Sequence, residues 1–156
     1  MTLREFYIAL FVGKNCQPTT SHLPLKMNKD KYITKLKKLS YPKLVKRAWK
    51  VWSEKRRKET ADHRGYVACI TCGVVKHWKE LQAGHFRHNH LDFHIKNINP
   101  QCVHCNKFLH GNLGNYAIWL DKTYGFGTAE SLKLMASKEK DRPCSKDELI
   151  QIIFNN

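Results

Sequence analysis

Two pairs of cysteines at the same short spacing constrain this chain more than any other feature of its sequence. Cys69 and Cys72 form the first CxxC pair, Cys102 and Cys105 form the second, and 29 residues separate the two pairs. Each pair can clamp one side of a tetrahedral ion, and four thiolates close the coordination shell, so no position is left for a substrate. The sequence therefore predicts a structural zinc site (Zn2+) that ties two distant segments together.

The remaining sequence favours a cytoplasmic protein with no membrane partner. The longest apolar run, residues 6 to 13, is too short to cross a bilayer and lacks the basic leader and small-residue cleavage site of a secretory signal. In a reducing compartment, CxxC pairs bind metal rather than form disulfides. Cys16 and Cys144 stand alone, and we interpret both as free thiols.

Positive charge is concentrated in one part of the chain. The 156 residues include 28 Lys or Arg against 13 Asp or Glu, a formal net charge of +15. Residues 26 to 64 hold 15 of the basic residues and only 4 acidic ones. A basic block of this density indicates a polyanionic partner such as nucleic acid. A solvated helix face that merely keeps the chain soluble is the alternative.

Within the basic block, the residue spacing predicts an amphipathic helix. Pro42 suits a first helical turn, and Leu44, Ala48 and Trp52 then recur on one face. Trp49 and Trp52 are interpreted as core anchors rather than as platforms for stacked bases. The basic residues on the other faces are candidates for contacts to a phosphate backbone: Arg47, Lys50, Lys55, Arg56, Arg57 and Lys58.

After the basic block, the pattern predicts a hairpin followed by helices, and hence an α+β fold. Residues 81 to 86 alternate, which places Ala83 and His85 on one side of a strand, and residues 93 to 98 can return as a second strand. A helix is expected from about residue 103 to residue 124. Two shorter helices are expected around residues 128 to 139 and 145 to 154, the last beginning with a capping box of Ser145 and Glu148.

The order of polar residues between the cysteine pairs resembles a known nuclease fold. The chain runs from a strand to His85, a polar loop, Asn97 and a helix start, with Asn106 directly after the last cysteine. This layout resembles the HNH, or ββα-metal, fold in the form that carries two flanking CxxC pairs. More closely, the combination of AGHF with CxxCNxFL resembles the phage recombination proteins of the NinG (Rap) family, over roughly residues 40 to 125.

The resemblance gives these residues catalytic roles. His85 matches the general base, and a neutral imidazole suits that role because it titrates near working pH. Asn97 matches the asparagine that holds the base histidine in place. Asn106 matches a ligand of a catalytic cation, Mg2+ or Mn2+, since a carbonyl oxygen suits such ions. His110, one helical turn further on, is a second candidate ligand, and Arg87 is a candidate phosphate clamp.

One position departs from the family pattern. Many members place Asp or His directly before the base histidine as another metal ligand, whereas this chain has Gly84. Some ββα-metal nucleases also have Gly at this position, so the departure does not exclude activity. It leaves the full ligand set of the catalytic cation open.

The resemblance implies an endonuclease that hydrolyses DNA at branched recombination intermediates, such as D-loops or Holliday junctions, in the cytoplasm of a phage host. Two coordinated cuts at a junction would suit a homodimer, although no sequence feature demonstrates one. Two other functions stay open. One is a zinc-organised nucleic-acid-binding module without catalysis, and the other is an HNH nuclease that acts on linear DNA or RNA.

We divide the chain into four segments. Residues 1 to 27 have no assigned role, and residues 28 to 64 form a basic helical arm that binds DNA. Residues 65 to 125 form the zinc-bound nuclease core. Residues 126 to 156 form a C-terminal helical segment.

Overall fold

The structure, a computed structural model, describes residues 28–88, 91–138 and 144–155, so the predicted segment of residues 1 to 27 lies outside it. The described elements are α1 (Lys29–Lys37), α2 (Tyr41–Lys58), β1 (Tyr66–Ala68), β2 (Val75–His77), β3 (Gln82–His85), β4 (Ile98–Gln101), a π-helical turn (His104–Phe108), α3 (Leu113–Tyr124), α4 (Thr128–Lys138) and α5 (Lys146–Asn155). This mixture confirms the α+β class. Within the described residues, no helix is both long and apolar enough to cross a membrane.

Helix α2 packs one of its faces into the main core. Ser40 precedes the helix and Pro42 lies in its first turn, as the sequence predicts. The buried side chains of Leu44, Ala48 and Trp52 pack with α1, α5 and Ile98 of β4. The predicted basic segment therefore packs one face of its helix into the folded core.

Strands β3 and β4 form an antiparallel hairpin whose two faces meet different parts of the chain. Gln82 pairs with Gln101, and His85 pairs with Ile98. Because side chains alternate along a strand, His85 projects toward α2 and Gln82 projects toward the π-helical turn. The return strand begins at Ile98, so the prediction that it starts at residue 93 was wrong. Residues 91–97 form turns instead, and hydrogen bonds from the side chain of Asn97 hold those turns.

The single helix predicted from residue 103 to residue 124 is divided in two. The π-helical turn ends at Phe108, and His110, Gly111 and Asn112 have φ angles of +48°, +86° and +47°. The amide of Gly111 donates to the carbonyl of Cys105 (2.9 Å), which folds the chain back onto the cysteine turn. Left-handed backbone cannot continue an α-helix, so α3 begins afresh at Leu113.

The C-terminal helices lie where the sequence predicts them. The capping box is confirmed: the Ser145 amide donates to Glu148 Oε2 (2.8 Å), and the Glu148 amide donates to Ser145 Oγ (3.2 Å). Helix α5 then buries Leu149 and Ile153 against α2. Cys144, just before this helix, is disulfide-bonded, so its interpretation as a free thiol was wrong. Cys16 lies outside the described residues.

Gly84 is required because another side chain occupies the space beside it. A Cβ atom on Gly84 would lie 1.9 Å from Oε1 and 2.9 Å from Cγ of Gln101. Gln101 is fully buried, and its Nε2 donates to Thr71 Oγ1 (3.2 Å) and to the Gly111 carbonyl (2.7 Å). Moving Gln101 aside would break both hydrogen bonds. Position 84 therefore has no room for an Asp or His side chain.

We expect Gly84→Ala to lower the free energy of unfolding by about 1–3 kcal/mol, because the added methyl group overpacks a buried site. Urea denaturation of the zinc-loaded protein measures this. Gly114→Ala is the matched control: a Cβ there meets nothing within 4 Å, so stability should stay the same or rise slightly. Adding Gln101→Ala to Gly84→Ala should remove the clash. A Gly84→Ala protein as stable as the wild type would contradict this account of the hairpin.

Candidate metal and nucleic-acid sites

The four cysteines of the CxxC pairs come together as the sequence predicts. Their sulfur atoms all lie within 4.8 Å of one another, and Cys72 Sγ is 3.8 Å from Cys102 Sγ. A tetrahedral zinc ion with Zn–S bonds of about 2.3 Å holds its sulfurs about 3.8 Å apart. The cluster can therefore hold a metal such as zinc. It would join the turn after β1 to the π-helical turn after β4.

The thiols of this cluster differ in their readiness to lose a proton. Burial raises the pKa of Cys69, but hydrogen bonds from the Thr71 hydroxyl and from backbone N–H groups outweigh it and bring the pKa to about 6. A backbone hydrogen bond near Val74 lowers the pKa of Cys72, whereas burial and contacts with the other three thiols raise it, to about 12 overall. Burial also raises the pKa of Cys102.

Further N–H groups point at the sulfurs of Cys102 and Cys105. The Cys105 amide donates to Cys102 Sγ (3.4 Å), and Asn112 Nδ2 donates to Cys105 Sγ (3.8 Å). Such donors stabilise negative charge on a thiolate ligand and orient it. Asn112 was not identified from the sequence, because its approach to the cluster depends on the left-handed backbone at residues 110–112.

We expect the purified protein to bind one zinc ion per chain and Cys105→Ser to lose it. Because Cys105 is buried and the small core around it consists largely of the ligands themselves, loss of the metal should also unfold this region. Metal analysis and circular dichroism measure the two effects. Ser131→Ala, an exposed change in α4, is the control. A folded, metal-free Cys105→Ser protein would contradict a structural role for the metal.

We expect zinc binding at pH 7 to release protons. Without the metal this region is expected to unfold, and an ordinary cysteine with a pKa of about 8.5 is largely protonated at this pH. Affinity should therefore fall as the pH falls, since protons compete with the metal. Calorimetry in two buffers of different ionisation enthalpy measures the release. Equal heats in both buffers would contradict it.

His85 ends β3 in a small cluster of aromatic and charged side chains. Its ring stacks on Trp49 of α2, with centroids 4.8 Å apart and an interplanar angle of 15°. The ring of His88 lies 4.8 Å away at 31°. Nε2 of His85 lies 3.3 Å from Oδ1 of Asp92. The side chain of His85 is 16% exposed, so it is enclosed but still accessible to a small reactant.

Asn97 closes the loop that begins at His85. Its Oδ1 accepts from the Arg87 amide (2.8 Å), and its Nδ2 donates to the carbonyls of Arg87 (2.7 Å) and Leu91 (3.0 Å). Both N–H groups and the oxygen of this buried amide are therefore engaged within the loop. Asn97 holds the residues around His85 without touching the imidazole itself. Asn99, two residues further along the chain, instead accepts from Arg56 Nη2 (3.0 Å).

Asn106 and His110 are not brought to His85. Asn106 Nδ2 donates to Gln82 Oε1 (2.7 Å), on the opposite face of the hairpin and three residues before His85. Three residues of strand span about 10 Å. His110 follows the end of the π-helical turn in a left-handed conformation, so it does not share a helix face with Asn106. In the described part of the chain, the four cysteines form the only cluster of three or more His, Cys, Asp or Glu ligands.

A basic groove follows α2. Its volume is about 1620 Å³, and its lining includes Trp49 and Tyr32 as well as two acidic residues, Glu54 and Glu59. The basic residues that line it are Lys43, Lys46, Arg47, Lys50, Lys55 and Lys58. Four of the residues predicted to contact nucleic acid, Arg47, Lys50, Lys55 and Lys58, therefore share one surface.

Arg56, one of the predicted phosphate contacts, is engaged inside the protein. Arg56 is 5% exposed, and its guanidinium donates to the Ile98 carbonyl (2.9 Å), to Asn99 Oδ1 (3.0 Å) and to Glu59. This corrects its assignment to the nucleic-acid surface: Arg56 fastens α2 to β4. The spacing could have indicated this, because position 56 continues the buried stripe of Ala48 and Trp52 at four-residue intervals.

Arg57 and Arg87 also have structural contacts. Arg57 donates to the carbonyls of Trp78 (3.3 Å) and Leu81 (3.1 Å), so it too is tied to the segment before β3. The Arg87 guanidinium lies over the ring of Phe86, and its buried Nε has no hydrogen-bond partner among the described residues. Arg87 therefore stays a candidate phosphate clamp, whereas Arg57 is a weaker one than the sequence suggested.

Comparison with known proteins identifies one family. A family model described as the bacteriophage lambda NinG protein matches residues 18–155. A relative described as protein ninG of Salmonella phage P22 is 32% identical over 71 residues, which cover 43% of this chain. The matched region spans only 34% of that relative's length. No solved structure matches the chain.

Proposed function

We propose that this chain, which belongs to the NinG family, is a metal-dependent endonuclease of the HNH class that hydrolyses DNA at branched recombination intermediates. The observation that carries the proposal is the position of Trp49, which lines the basic groove and stacks on His85. A phosphate backbone bound in the groove would pass beside this imidazole. Two coordinated cuts at a junction need two active sites, so the proposal includes a homodimer.

The groove supports binding of a polyanion without reading of bases. Lys43, Lys46 and Lys50 are exposed along one side of α2, at the three- and four-residue spacing that aligns side chains on a helix. Lysine and arginine neutralise phosphates and release counterions, which gives an affinity that falls with salt. Such contacts position a duplex and carry no sequence information. Specificity for branched DNA would then come from shape.

His85 supplies the base in the proposed reaction. Its unprotonated ring nitrogen accepts a proton from water while the water oxygen forms a bond to phosphorus. The bond between phosphorus and the 3′ oxygen breaks, and the leaving oxygen takes a proton from solvent. The products are a 5′ phosphate and a 3′ hydroxyl. Trp49 excludes water from one face of the ring, which keeps the imidazole oriented.

The family resemblance assigns the divalent cation, Mg2+ or Mn2+, to Asn106, whose side chain lies on the face of the hairpin opposite His85. Its Nδ2 is engaged by Gln82, which leaves the carbonyl oxygen Oδ1 as a ligand of the kind these ions prefer. When bound, the cation would neutralise charge on the phosphate and the leaving oxygen. Gln82 would fix the orientation of the ligand, as partners of metal ligands commonly do.

A specific observation favours a second function, a zinc-organised nucleic-acid-binding module without catalysis. His85 and the side chain of Asn106 engage opposite faces of the hairpin, and the space beside Gly84 is filled by Gln101. The cysteine cluster and the basic groove would suffice for this function. Cleavage therefore has to be tested separately from binding.

We expect the zinc-loaded protein to cut a synthetic four-way junction when Mg2+ or Mn2+ is added, and His85→Ala to lose about 10²–10⁴-fold in rate, as removal of a general base does. Linear duplex DNA and single-stranded RNA are tested in parallel. His63→Ala, which removes an exposed histidine outside the site, is the control. Reactions without added cation, rather than with a chelator, avoid stripping the structural zinc.

The outcomes separate the functions. Cutting of linear DNA or RNA as fast as the junction would keep the nuclease and reject the branched substrate. Binding without cutting by the wild type would favour the binding module. In the binding assay, Lys46→Gln with Lys50→Gln should reduce the slope of log affinity against log salt by about 2. Lys76 and Lys122 are exposed and lie outside the groove. The double variant Lys76→Gln with Lys122→Gln should therefore keep a steeper salt dependence than the Lys46→Gln with Lys50→Gln variant.

A further inference from the structure

Asp92 is a charged neighbour of His85 that the sequence did not reveal. Its Oδ1 lies 3.3 Å from Nε2 of His85, although the two residues are seven positions apart and separated by a polar loop. The distance suits an ion pair, while the angle falls outside that of an ordinary hydrogen bond. Within the described residues, this oxygen is buried and accepts no other hydrogen bond. The imidazole N–H is therefore the partner that can satisfy it.

The backbone of Asp92 is held from both sides. Leu91, fully buried, packs in the cluster formed with α3 and α4, whereas Phe93, 6% exposed, packs in the main core with α2 and α5. Asn97 donates to the Leu91 carbonyl from across the loop (3.0 Å). Asp92 thus lies between two buried anchors in different clusters. The backbone of Asp92 is thereby fixed beside His85, while its side chain is 41% exposed.

The imidazole itself is held in plane by its neighbours. Trp49 stacks on one side at 15°, and the ring of His88 lies 4.8 Å away. Stacking fixes the plane of the ring but leaves open which nitrogen carries the hydrogen. A carboxylate at Nε2 decides this, because it accepts a hydrogen there and repels a lone pair.

We propose that Asp92 is a positioning residue that holds His85 in the tautomer with hydrogen on Nε2, so that Nδ1 is the nitrogen that takes the proton from water. The inference rests on the proposed function for its catalytic meaning. The tautomer, however, is a property of the protein without substrate. Once Nδ1 has accepted a proton, the Asp92 carboxylate also stabilises the positive ring.

Nitrogen NMR of the full-length, zinc-loaded protein with 15N-labelled histidine tests the proposal. At about pH 8, where an ordinary histidine is neutral, His85 should show a protonated Nε2 and an unprotonated Nδ1. His85→Ala assigns the signals by their absence. Asp92→Ala should move both His85 signals toward the average of the two tautomers, while Asp147→Asn, an exposed acidic change in α5, should not.

A wild-type His85 with hydrogen on Nδ1 would overturn the proposal, and this result does not depend on the Asp92 variant. An unchanged His85 spectrum in a folded Asp92→Ala protein would also overturn it. In the cleavage assay, Asp92→Ala should lower kcat by about 10- to 100-fold with little change in KM, as loss of a supporting partner does. Absence of cleavage by the wild type would reject the proposed nuclease activity. It would leave the proposal on the His85 tautomer standing, because the NMR measurement does not depend on cleavage.

Discussion

Four sulfur atoms within 4.8 Å of one another are the constraint on which the rest of this structure depends. As thiolates they would repel one another, and as thiols they would attract only weakly, so a bound divalent cation would make the arrangement favourable. The hydrophobic cluster around them, Val67 and Leu81 with the cysteines themselves, is too small to hold two distant segments together. The metal would take the place of a core in this part of the protein.

The β3–β4 hairpin carries that constraint to the rest of the chain. One of its ends leads into the cysteine turn, and its two faces meet different partners because side chains alternate along a strand. Arg56 of α2 donates to the Ile98 carbonyl and to Asn99 Oδ1. Asn99 Nδ2 in turn donates to the Tyr116 hydroxyl of α3, which donates to the Gly84 carbonyl (3.0 Å). The position of His85 beside the basic groove follows from this division.

The features that could be predicted are those that depend on local spacing. The CxxC pairs, the alternation at His85, the stripe of α2 and the capping box at Ser145 each involve residues within a few positions of one another. The start of β4 could not be read from local spacing. It depends on the loop closed by Asn97, which replaces strand pairing with side-chain hydrogen bonds.

The sequence by itself determined the ligands of the metal site, the basic character of one helix and the family to which the chain belongs, because residue types and short spacings specify all three. Only the tertiary structure decided that Arg56 is buried, that Gln101 fills the space beside Gly84, and that Asp92 meets His85. In each case the spacing of the residues along the chain does not show that they are close in space. Packing of the whole core sets such contacts, and no local pattern encodes them.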